Sequence, residues 1–211
     1  MSETDPNILS AFIGAFVAVV TIAIKYGIDL AVHRLSTRKR LSYLCIRLSM
    51  KLDRFIIGCA DVVSDDGLRW GQTDIDGQRR EQVEDPAFDL ESLDVEWRVM
   101  QPEDLDRVLH LPVKIDRLRA FLRAVQYEST PPEHPEYFDA RRNGYGNLGL
   151  EAYDLLVTLR KRAKLPAPVM PDWDPINKIE TTLASLEEAQ SRHRESQKRA
   201  FAQLKSLGEE P

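Results

Sequence analysis

The apolar and polar positions of the chain fall into four helical patterns and one break. From Ile8 to Ile24 the sequence runs ILSAFIGAFVAVVTIAI without a charge. As a helix that run covers about 25 Å at about 1.5 Å per residue, near the thickness of a hydrocarbon core. Residues 37–64 then carry Leu41, Leu44, Cys45, Leu48, Leu52, Phe55, Ile56, Cys59 and Val63 at three- and four-residue steps. Arg40, Arg47, Lys51 and Arg54 lie opposite, so this is an amphipathic helix that stops at the turn residues Ser64-Asp65-Asp66-Gly67.

A second helix is predicted from Gln101-Pro102-Glu103-Asp104, with proline at its first position and acids in its first turn. Its inward stripe is Leu105, Val108, Leu109, Ile115, Leu118, Leu122 and Val125, and Pro112 predicts a kink. After Pro131, Pro132 and Pro135 a third helix runs to about Lys164, turning Phe138, Tyr145, Leu148, Ala152, Leu155, Leu156 and Leu159 inward. The stiff connector LPAPVMPDWDP, residues 165–175, leads to a last helix that Asp174 can cap and Pro175 can open. That helix spaces Ile176, Ile179, Leu183, Leu186, Gln190, His193, Gln197, Ala200, Leu204 and Leu207 as a heptad seam with a polar centre.

Residues 65–100 break the periodicity. They are acidic and glycine-bearing, longer than a bundle loop needs, and Val95, Trp97 and Val99 alternate with charged residues as a short extended piece would. The expected fold is therefore all-α: a transmembrane helix, an antiparallel helical bundle and a heptad-like C-terminal helix. The divisions are an anchor and juxtamembrane segment at 1–35, a bundle at 36–164 containing the irregular loop 65–100, the connector 165–175, and the helix 176–211.

Charge sets a direction for the anchor. Glu3 and Asp5 precede the uncharged run, whereas Lys25, Arg34, Arg38, Lys39, Arg40, Arg47 and Lys51 follow it. Basic flanks stay in the cytosol, which predicts a single-pass protein of the plasma (inner) membrane with its N-terminus outside and its body cytosolic. The acidic flank and the lack of an A-x-A site speak against a cleaved signal peptide. Over all 211 residues the net charge is −5, which disfavours a nucleic-acid partner. Cys45 and Cys59, on one helix about 21 Å apart at helical rise, cannot bridge each other.

Motifs of known chemistry are few. GYGNLG, residues 144–149, matches the dinucleotide fingerprint in letters only. No strand precedes it and no βαβ unit surrounds it, so its glycines instead predict close helix packing. TDIDGQRREQVE resembles a calcium loop but lacks the first carboxylate and the bidentate glutamate. His33, His110, His134 and His193 lie in separate elements without metal-ligand spacing. No catalytic, cofactor-binding or metal-ligating residue is expected. Trp70, Trp97 and Trp173 are the candidate contacts for a protein partner, since exposed tryptophans anchor interfaces.

The segments WRVMQPEDLDRVLHLPVKI and YGNLGLEAYDLLVTLRKRAKLP resemble bacterial single-pass membrane proteins that have a helical cytosolic domain and no known activity. The resemblance implies a membrane-anchored helical bundle and transfers no functional residue. The expected function is a non-catalytic adaptor, held in the lipid bilayer through residues 8–24, with a protein partner and self-association through the C-terminal helix. The alternative is an enzyme or ligand sensor whose site lies inside the bundle.

Overall fold

The computed structural model describes residues 6–68, 79–129, 134–168 and 173–208; the side chains of residues 6–15, 17–19, 23 and 200–208 lie outside the described set. The fold is all-helical, with no strand among the described residues. Its elements are α1 (Pro6–Ser64), a 3-10 turn (Trp97–Val99), α2 (Pro102–Glu128), α3 (Pro135–Arg162) and α4 (Pro175–Gly208).

Helix α3 is the shared partner. It lies antiparallel to α1, because Arg142 donates from Nε to the carbonyl of Val63 at 3.0 Å while Gly149 faces Cys59 further back along α1. It is antiparallel to α2 as well: Arg162 pairs with Asp104 at 2.9 Å, Arg107 with Asp154 at 2.7 Å, and Lys114 with Glu151. Against α4, Gly149 meets Ile179 and Gly146 meets Leu183, again in opposite directions. Each of α1, α2 and α4 thus turns an apolar stripe toward one central helix.

The stripes expected for α1 and α3 are the ones buried. Leu44, Cys45, Leu48, Leu52, Phe55, Ile56, Cys59 and Val63 enter the core from α1, and Phe138, Tyr145, Leu148, Ala152, Leu155, Leu156 and Leu159 from α3. Asp174 caps α4 as expected, its Oδ1 accepting from the backbone N–H of Ile176 at 2.9 Å. Helix α2 turns Val108, Ile115, Leu122 and, partly buried, Leu105, Leu118 and Val125 inward as expected, and differs at one position. Leu111 is buried and Leu109 faces water, so the inward row is Asp104, Val108, Leu111, Ile115 and Leu122. Asp104 belongs in that row because Arg162 neutralises it. The helix runs continuously through Pro112.

The irregular stretch after α1 takes the place of a helix, as a strap along α1. Pro86 sits on Gly58, and Phe88 packs edge-on against Phe55 at 5.8 Å between centroids. Further on, Lys51 reaches Ser92 at 2.9 Å and Arg40 reaches Glu96 at 2.8 Å. The strap therefore runs backward along α1 and buries Phe88, Leu93 and Met100. Val95, Trp97 and Val99 do pack against the core, but Trp97–Val99 forms a 3-10 turn rather than an extended piece.

Helix α1 is continuous for 59 residues, through the expected boundary between anchor and bundle. Before Leu41 none of its described residues is buried. Phe16, Ile22, Ile24, Tyr26, Ile28, Leu30, Val32 and Leu35 are all exposed. Among the described residues no helix is long and apolar enough to cross a membrane. Most side chains of the uncharged run 8–24 lie outside the described residues.

Candidate functional site

The densest polar cluster sits where α1 ends, the strap begins and α3 passes. Asp65 follows the last turn of α1, its N–H bonded to the carbonyl of Val62 at 3.0 Å. One carboxylate oxygen accepts from the N–H of Gly67 at 2.9 Å; the other accepts from the N–H groups of Gln82 at 2.9 Å and Val83 at 3.2 Å. Gly67 takes φ +79°, and a side chain there would run into the ring of Phe138, so the turn is built for glycine. Arg141 completes the node from α3. It donates to Asp65 at 2.9 Å, to Asp85 at 2.9 Å and to the carbonyl of Val83 at 2.6 Å.

The Arg141 side chain is 0% exposed and that of Asp65 1%. A charge this deep is tolerable only when paired and hydrogen-bonded, which the fork of the guanidinium achieves on both carboxylates. Around it, burial pushes the Tyr137 and Tyr145 hydroxyls well above their ordinary range, helped by Glu81 for Tyr137 and by Asp85 for Tyr145. Tyr137 donates to Glu81. The Tyr145 hydroxyl is buried beside Asp85 without a well-formed hydrogen bond.

Perturbed groups of this kind mark catalytic sites or structural ion pairs alike. Here both oxygens of Asp65 are committed to backbone donors and to the arginine, and no surface of Arg141 is open to a substrate. The arrangement holds the strap in place and presents no reactive atom. The cysteines are equally quiet: burial pushes the Cys45 thiol up to about 11 and the Cys59 thiol higher still, so neither supplies a thiolate near neutrality.

Clefts flank the outer side of α3. One, of about 500 Å³, lies between α3 and α4 and is lined by Asn143, Asn147, Leu183, Glu187, Gln190, Ser191 and Arg194. Another, of about 550 Å³, lies toward α2 and includes Phe121, Asp139 and Gly144. GYGNLG is thus helical and lies between them, its glycines spent on packing. An added Cβ at Gly146 would meet Leu183 at 2.8 Å, and one at Gly149 would meet Ile179 at 2.8 Å. Among the described residues no group of three His, Cys, Asp or Glu could hold a metal ion. Most of the calcium-like loop, residues 72–78, lies outside the described residues.

The three tryptophans do not converge on one element. Trp97 is half-buried in the turn packed on α1, Trp173 is 48% exposed at the entry to α4, and Trp70 lies outside the described residues. Two features escaped the sequence reading. Arg141 stands between Phe138 and Tyr145 on the inward face of α3, a lone charge in an apolar stripe and hence a legible signal of a buried pair. The other is the outer face of α1, where Tyr43, Ile46, Met50 and Ile57 are exposed. No family model, curated protein or solved structure matches the chain.

Proposed function

We propose that the chain is a membrane-anchored, non-catalytic adaptor that holds a helical bundle at the cytosolic face for a protein partner. The observation that carries this reading is the exposed apolar surface of α1 ahead of the bundle. From Pro6 to Leu35 the helix extends for about 44 Å at helical rise, and its described apolar side chains there, from Phe16 on, are exposed. Apolar surface in water is unfavourable by roughly 25 cal/mol per Å², so such a rod requires a cover. The uncharged run Ile8–Ile24 suits a bilayer, and the cations from Lys25 to Arg40 suit its cytosolic leaflet. Trp173, with its indole half in water at the mouth of α4, is the tryptophan best placed to meet a partner.

The test is carbonate extraction of membranes, followed by protease added to intact right-side-out cells. The chain is expected to stay in the pellet with residues 37–211 protected. Release by carbonate, or digestion of the body from outside, overturns the anchor or its direction.

The cleft between α3 and α4 favours a second reading, a ligand sensor, because Asn143, Asn147, Glu187, Gln190 and Arg194 converge on it. Screening small polar metabolites for a rise in melting temperature separates the two. A ligand whose effect disappears in Asn147→Leu supports the sensor, and no rise across the panel supports the adaptor.

A further inference from the structure

The face of α1 turned away from the core is apolar, because Arg40 and Lys51, expected opposite the buried stripe, turn instead onto the strap. Ile28, Leu35, Tyr43, Ile46, Met50 and Ile57 are exposed by 43–57%. At 3.6 residues per turn they fall within about 80° of arc, opposite the buried stripe. The row begins in the free part of α1 and continues without a shift along the bundle. Its repeat is that of a straight helix, since Ile28 and Ile46 are about five whole turns apart.

We infer that this face pairs two copies of the chain, α1 against α1, parallel and in register from Ile28 to Ile57. The parallel sense rests on the anchor proposed above, which gives both copies one orientation; the pairing itself rests on the face. Its length, about 44 Å, calls for an equally long and straight apolar partner, and a second α1 is such a partner. Two faces of that length and about 10 Å width bury roughly 900 Å² in total, the size of a weak interface rather than a permanent one. Confinement to one membrane plane raises the effective concentration enough for such an interface to form.

Charge fits the same geometry. Asp53, half-buried near Arg160 of α3, lies at one edge of the row and the exposed Arg54 at the other, and Arg54 has no ion pair among the described residues. A two-fold axis along the helices sets each Asp53 beside the Arg54 of the other copy. Lys39 interrupts the row, but its four-carbon stem can carry the ammonium out of the seam.

The experiment uses the full chain in native membranes, with Ile46→Cys and Ile57→Cys as separate variants under mild oxidation. Both sites are exposed, so the fold tolerates them, and the native Cys45 and Cys59 are buried and give little background. Arg117→Cys, exposed on α2, is the comparator. Each of the two variants is expected to link to itself about tenfold more than the comparator, because the pairing holds its two thiols at one seam while the comparator meets its copy only by diffusion in the membrane. Linking at Ile46 but not at Ile57 is antiparallel pairing and overturns the register. Linking no greater than the comparator, a product of another mass, or shielding of Ile46 by lipid alone overturns the pairing. Carbonate extraction of the same samples keeps the two readings apart. Unlinked chain retained in the pellet sinks only the pairing; linked chain released into the supernatant sinks only the anchor.

Discussion

Arg141→Met will destabilise the chain by about 3–5 kcal/mol, the usual effect of removing one partner from a buried ion pair. The loss comes less from the vanished bonds than from what stays behind. Asp65 would remain fully enclosed with three backbone donors and no cation, and the carbonyl of Val83 would lose its donor. The strap is fastened to α3 at this node, so its apolar residues Phe88 and Leu93 should loosen with it. Denaturant melts of the full chain in detergent measure the first effect, and the emission of Trp97, packed on the core beside the strap, reports the second. Arg141→Lys should recover only part of the loss, because an ammonium cannot fork onto Asp65 and Asp85 together. A loss under about 1 kcal/mol in Arg141→Met would show that the strap is held by its apolar contacts instead.

Gly149→Leu will cost about 3 kcal/mol, at the upper end of overpacking effects. Three helices cross at this residue. An added Cβ would stand 2.8 Å from the Ile179 methyl of α4 and 3.0 Å from the Cys59 Cβ of α1. The isoleucine can rotate away, whereas the cysteine Cβ is tied to the backbone, so α1 and α3 must move apart. Thermal melts check the magnitude, and NAD or ATP binding by the purified chain is the counter-experiment. Tight, specific binding would mean that GYGNLG serves a phosphate after all.

Much of this arrangement was legible wherever one face of a helix does one job. The inward rows of α1 and α3 follow the three- and four-residue spacing, and the Asp174 cap follows from a short polar residue ahead of a proline. Helix α2 was misread at Leu109 because it carries apolar residues on two faces and a buried acid on the true one. Only the partner, Arg162 at 2.9 Å, reveals that Asp104 faces inward. The strap was legible as irregular but not as a route. Its path is set by two aspartates and an arginine 76 residues after the first of them, a pairing with no local period. The outer row of α1 was hidden for the opposite reason: a stronger stripe on the same helix had already accounted for its amphipathic pattern.

The central place of α3 has a consequence for how the chain is made. Helix α1 is complete when the ribosome reaches Ser64, but the helix that covers it ends at Arg162. At about 5–20 residues per second the intervening stretch takes on the order of 5–20 s to translate. Through that interval Leu44, Leu48, Leu52, Phe55 and Val63 lack the cover of α3, although the finished protein buries them almost completely. A nascent chain in this state presents a sticky helix to every neighbour, including other nascent chains of its own kind on one polysome. Slower elongation between α1 and α3 would lengthen the exposure, and a chaperone engaging α1 would shorten its effect. The first helix has to wait for the third.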